Sequence, residues 1–193
     1  MSVVAVAVFC GSRFGGRPVF QEAARDLGQQ LGEAGMRLVY GGGDVGLMGA
    51  VADATLAAGG AVSGVIPSFL EAREVMHQGV SDLTVTDSMH SRKQLMFARA
   101  DAFVVLPGGL GTFDETMEIL TWRQLKLHDK PIFIVNVAGW ADPMLGMLRA
   151  AVENGFAEAS VLDLFAVVPD VATTMVHLRA VVRSPVVDDA SRL

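Results

Sequence analysis

Cysteine is nearly absent: Cys10 is the only one in 193 residues. A single thiol excludes an internal disulfide and a cysteine metal cluster. Cys10 closes an apolar run, so core filler is its expected role, ahead of nucleophile. The four histidines are too dispersed for a ligand-spacing argument, and no metal or cofactor is expected. Positive charge is also in deficit, with 15 Lys and Arg against 21 Asp and Glu and a formal net charge of -6. There is no global basic field for nucleic acid, so an anionic ligand needs a local cationic site. No uninterrupted apolar run reaches membrane-spanning length, and no membrane partner is expected. Residues 1–9 lack a basic n-region and run straight into Gly11-Ser12, which reads as a first strand and not a signal peptide. A cytoplasmic protein is the expectation. Internal repeats and a convincing domain linker are missing as well.

What is present is a hydrophobic fraction of 51%, enough for one compact domain with a sizeable core. Short branched, apolar runs at 3–9, 36–40, 61–66, 83–85, 102–106 and 131–135 read as strands, the first of them covered on both faces. A further strand is expected at 164–168. Helical spacing follows at 18–31, with Pro18 at its start, after Gly46, after the Asp87-Ser88 cap, at 116–127, after Met144 and at 172–182. This alternation predicts an α/β fold: a Rossmann-like, doubly wound, mostly parallel sheet with helices on both faces. Its ligand should lie at the carboxyl ends of the strands. The single domain is placed at 1–183, with 184–193 as a loose C-terminal tail.

The organising stretch is Pro107-Gly108-Gly109-Leu110-Gly111-Thr112-Phe113-Asp114-Glu115. It lies between an apolar strand and a helical pattern. Glycines let backbone N–H groups approach an anion, and a helix start adds its dipole. Thr112 can add a hydroxyl. Glu115 is expected in the first helical turn, beside whatever the loop holds. A tight turn with an acidic N-terminal cap is the other reading of these residues. A second glycine loop, Gly41-Gly42-Gly43-Asp44-Val45-Gly46, has the composition of a dinucleotide loop without its spacing. No acidic residue completes that fingerprint. Arg13 and Arg17 lie near the expected crevice and read as solvated. His77 reads as surface or structural, and Trp122 as core or interface.

The motif Pro107–Glu115, with Met89-His90-Ser91-Arg92-Lys93 upstream, resembles the LOG family of cytokinin riboside 5'-monophosphate phosphoribohydrolases, often mislabelled as lysine decarboxylases. The likeness extends from Phe9-Cys10-Gly11-Ser12 through both glycine loops to Gly155-Phe156. It implies N-glycosidic hydrolysis of an N6-substituted AMP to the free N6-substituted adenine and ribose 5-phosphate. It assigns catalysis to Arg92 and Glu115. It assigns contacts with the purine nucleoside 5'-monophosphate to Glu74, Arg92, Lys93, Gly108, Gly109, Leu110, Gly111, Thr112, Phe113, Asp114, Glu115 and Thr121. It also implies a homodimer, with the Trp122 helix as the favoured contact. Plain AMP, as for an AMP nucleosidase or another purine nucleotide N-glycosidase, is the nearest competing substrate. A non-catalytic nucleotide sensor could use the same loop. A lysine decarboxylase would need a Schiff-base lysine, and no such site is evident.

Overall fold

The computed structural model describes residues 5–70, 77, 79–80 and 82–181. Seven strands form one sheet: β1 Ala5–Phe9, β2 Arg37–Tyr40, β3 Val62–Pro67, β4 Asp82–Thr86, β5 Ala102–Val105, β6 Ile132–Val135 and β7 Ala166–Val168. Their order is β4-β3-β2-β1-β5-β6-β7, and every neighbouring pair is parallel. Six α-helices occur among the described residues: α1 Pro18–Glu33, α2 Gly46–Ala57, α3 Met89–Arg99, α4 Leu110–Gln124, α5 Asp142–Glu153 and α6 Val171–Ala180. None is long and apolar enough to cross a membrane.

Strand side chains alternate, so each central strand feeds two cores. Val6, Val8, Leu38, Tyr40, Val104 and Val135 pack with Leu27, Leu31, Val51 and Met175 of α1, α2 and α6. Ala7, Phe9, Val39, Phe103, Val105 and Ile134 pack with Met96, Phe97, Ile119, Leu120 and Leu145 of α3, α4 and α5. Both faces are therefore covered, which explains the near-continuous apolar runs.

The strand order reverses between β1 and β5, and there the two glycine turns meet. The Gly11 N–H donates to the Pro107 carbonyl at 3.0 Å, and the Leu47 N–H donates to the Gly11 carbonyl at 3.0 Å. A crevice outside the carboxyl ends of two strands at such a point is where open α/β sheets bind ligands. Pro67 ends β3 opposite Thr86. The β2 pairing has already stopped at Gly64, so the missing proline N–H interrupts no ladder on that side.

Candidate active site

α3 begins at a reciprocal cap. The Ser91 N–H donates to Ser88 Oγ at 3.1 Å, and the Ser88 N–H donates to Ser91 Oγ at 3.2 Å. This fixes the first turn of the helix and so the direction of Arg92. Arg92 is only 5% exposed. Its Nε donates to the Val65 carbonyl at 3.2 Å and its Nη2 to the Gly41 carbonyl at 3.4 Å. The Met89 sulfur lies 3.8 Å from Nη1. The guanidinium is thus seated on the carboxyl ends of β2 and β3. A Cβ at Gly41 would coincide with Nη2 and press on the Met48 sulfur at 3.1 Å. Gly41 is therefore glycine because Arg92 occupies its side-chain space.

Arg92 Nη1 lies 3.7 Å from Glu115 Oε1, and Glu115 is 7% exposed. Two residues 23 positions apart, on different helices, form one buried ion pair. Cys10 lies within their field. Burial first, and then the charge of Glu115, pushes its thiol up, with Arg92 opposing. Cys10 therefore stays a protonated core thiol, as its apolar setting implied.

The start of α4 is open. Gly109 is its N-cap, and no side chain caps it. The acidic-cap reading of the loop therefore fails. The expectation that Glu115 lies in the first turn is corrected too: no acidic residue is there. The helix starts at Leu110, which puts Glu115 in its second turn. Helical side chains lean toward the N-terminus, so the carboxylate reaches back over the turn containing Gly111. At Gly111, four residues earlier, a Cβ would meet nothing within 4 Å. The lane in front of Gly111 is thus open. Leu110 stands 86% exposed at that mouth. Thr112 is buried with its hydroxyl against Gly108, where a Cβ would collide with it. Thr112 shapes the loop from inside.

Other expected site residues fall elsewhere. Lys93 Nζ lies 3.1 Å from both Asp114 Oδ2 and Glu118 Oε2. Burial alone would lower the Lys93 pKa, but these two carboxylates outweigh it and hold the amine above its ordinary value. Lys93 and Asp114 therefore clamp α3 to α4 instead of facing the Arg92–Glu115 pair. Thr121 is exposed, and its hydroxyl donates to the Met117 carbonyl at 2.7 Å. The ring of Phe113 stacks on Trp140 with centroids 5.6 Å apart. Trp122 packs edge-on against Phe97 at 5.0 Å. Glu74 lies outside the described residues.

Two features had no signal in the sequence. Trp140 Nε1 donates to the Gly108 carbonyl at 3.2 Å. His77, Asp44 and Asp53 converge with ligand atoms within 4.8 Å of one another, a grouping able in composition to hold a metal. The ring argues otherwise: Nδ1 accepts the Gly79 N–H at 3.1 Å, so the neutral ring carries its proton on Nε2. Nε2 then donates to Asp53 Oδ1 at 3.1 Å. The group is a strap of polar side chains around the buried ring of His77.

A family model described as "Possible lysine decarboxylase" matches residues 48–178, more than half of the chain. A probable cytokinin riboside 5'-monophosphate phosphoribohydrolase of Oryza sativa subsp. japonica is 44% identical over 164 residues, covering 85% of this chain and 74% of the relative. A cytokinin riboside 5'-monophosphate phosphoribohydrolase of Arabidopsis thaliana is 41% identical over 165 residues, covering 86% and 78%. In structure the chain is similar to the molybdenum cofactor binding protein of the phototrophic bacterium Rippkaea orientalis. The TM-score there is 0.70 at 19% identity, covering 93% of this chain and 98% of that one; this likeness concerns the fold alone. With a family model over more than half of the chain, and relatives this similar over most of their length, the chain belongs to the LOG family of cytokinin riboside 5'-monophosphate phosphoribohydrolases.

Proposed function

We propose that this chain hydrolyses the N-glycosidic bond of N6-substituted AMP, giving the free N6-substituted adenine and ribose 5-phosphate. The observation that carries this reading is the buried Arg92–Glu115 pair beside the uncapped N-terminus of α4. The 5'-phosphate sits on the N–H groups at the start of α4, where the helix dipole favours an anion. The ribose then extends along the lane over Gly111 toward Glu115. There the carboxylate stabilises positive charge developing on the ribose ring and orients water at the anomeric carbon. Water adds to that carbon, the bond to the purine breaks, and the base leaves with a proton. Arg92 remains a cation throughout. It holds Glu115 in place and balances its charge while contacting the nucleotide.

The phosphate is expected to dominate recognition, because the site's anion-binding groups lie at the helix mouth. Turnover of a 5'-monophosphate and its matching nucleoside, compared at equal concentration, tests this. The nucleotide should be preferred by about 10²-fold or more, since a charged contact of roughly 1.5–3 kcal/mol adds to the dipole term. Equal efficiency would refute the phosphate site. A panel from AMP to prenylated AMP then ranks the N6 substituent.

The decarboxylase description finds no support in the lysines. Lys93 is held charged between two carboxylates. Lys130 Nζ donates to the Phe97 carbonyl at 2.7 Å and lies over the Phe97 ring. Lys126 follows the end of α4 in a left-handed conformation. Lys126 is exposed, and the other two amines are each engaged.

We also infer a homodimer. The end of α4 exposes Leu125, and Leu127 just beyond it is exposed too. Trp122 is turned inward on Phe97, so these leucines, and not the indole, supply the face. A solution mass measurement should return twice the chain mass; monomer alone across the micromolar range would refute it.

A further inference from the structure

The Gly108–Gly109 peptide faces an unusual demand. It joins two glycines, each free to rotate at little steric cost, yet its N–H must hold one direction if it is to bind an anion. Gly11 fixes the preceding residue by donating to the Pro107 carbonyl at 3.0 Å. On the other side stands Trp140. Its indole N–H donates to the Gly108 carbonyl at 3.2 Å, and its ring lies 8° from parallel with Phe113, in the first turns of α4. In a trans peptide the carbonyl and the following N–H point in opposite directions. Pinning the Gly108 carbonyl toward Trp140 therefore turns the Gly109 N–H away from it, to the side of the open helix mouth.

Trp140 is itself firmly held. Its backbone N–H donates to the Val137 carbonyl at 3.1 Å, closing a tight turn in which Ala138 takes a left-handed φ of 53°. Asn136 Oδ1 accepts the Ala141 N–H at 2.8 Å, and Asn136 Nδ2 donates to Asp142 at 2.7 Å. Arg17 Nη1 donates to the Ala138 carbonyl at 3.0 Å, tying this turn to the start of α1. A braced loop after β6 thus presents one indole to the glycine loop after β5.

We propose that Trp140 is the positioning residue for 5'-phosphate recognition, acting by preventing a flip of the Gly108–Gly109 peptide. This deepens the phosphoribohydrolase reading and rests on it. Trp140 acts on the loop backbone and not on the reacting bond, so its loss should raise KM and leave kcat nearly unchanged.

The decisive variant is Trp140→Phe, which keeps a ring to stack on Phe113 and removes the N–H donor. Inorganic phosphate and ribose 5-phosphate binding are measured by calorimetry for wild type and variant, beside nucleotide and nucleoside turnover. Loss of one hydrogen bond predicts roughly fivefold to tenfold weaker binding of both phosphate ligands and a similar fall in nucleotide preference. The kcat should stay within about twofold, as for lost ground-state binding. Trp140→Leu, which removes the stack as well, should weaken phosphate binding further. If that variant does not fold, the stack-conserving Trp140→Phe decides alone. Unchanged phosphate binding in folded Trp140→Phe, or a lowered Tm with no change in phosphate binding, would overturn the proposal. Absence of nucleotide hydrolysis by wild type would instead refute the functional reading, while the inorganic phosphate titration would still test Trp140.

Discussion

Glu115→Gln is expected to lose turnover by about 10²-fold or more while nucleotide binding survives. The replacement keeps size and hydrogen-bonding capacity and removes the negative charge. That charge is 7% exposed and 3.7 Å from Arg92. A charge held in so dry a place acts most strongly where positive charge appears, which is the ribose in the transition state and not the ground state. In the proposed binding mode the phosphate contacts come from the α4 backbone, which the substitution does not touch. Purine release from N6-substituted AMP, measured beside direct binding of the same nucleotide by the folded variant, separates the two effects. Near-normal turnover would remove Glu115 from the chemistry. Equal loss of binding and turnover would make it a binding group only.

Arg92→Ala should impair binding and turnover together and also lower stability. The guanidinium satisfies the Val65 and Gly41 carbonyls as well as facing Glu115. Its removal leaves a buried carboxylate without this counterion, a change that typically costs about 3–5 kcal/mol. With a 3.7 Å separation, the lower end, about 3 kcal/mol, is expected. Arg92→Lys restores the charge but not the fork, so it should recover stability better than activity. Gly41→Ala approaches the same group from the other side. Its Cβ displaces Nη2, and turnover should fall toward that of Arg92→Ala with every charge still present. Thermal denaturation and hydrolysis of the three variants check the set. Full activity in folded Gly41→Ala would show that the seating of Arg92 does not matter.

The sheet was legible because its strands alternate between two cores, which makes them apolar on both faces and separates them by helices. Residues 102–106 and 131–135 announce themselves this way; the short β7 is weaker yet still visible. Sheet order was not written in any local pattern, since it depends on which crossover passes over which strand. The same limit hid the convergence of residues distant in sequence. Arg92 and Glu115 were paired by resemblance, and no spacing links them. Trp140 reaches Gly108 across 32 positions, and His77 reaches Asp53 across 24. Gly41 looked like part of a glycine loop, whereas its small size is demanded by a guanidinium from a helix two strands later. Glu115 was misplaced by a turn because the helix begins at Leu110, between Gly109 and Gly111, whose poor helix propensity hides the start. The resemblance put Lys93 beside Arg92 on the substrate, but adjacent helical residues point about 100° apart. One faces the sheet while the other faces Asp114 and Glu118.

The most direct test of the account is product identity. Purified protein is incubated with N6-substituted AMP, and free base, nucleoside, ribose 5-phosphate and inorganic phosphate are quantified together. The account predicts free N6-substituted adenine and ribose 5-phosphate in equal amounts, with both lost in Glu115→Gln. Release of nucleoside and inorganic phosphate, or nucleotide bound without any free base, would contradict it.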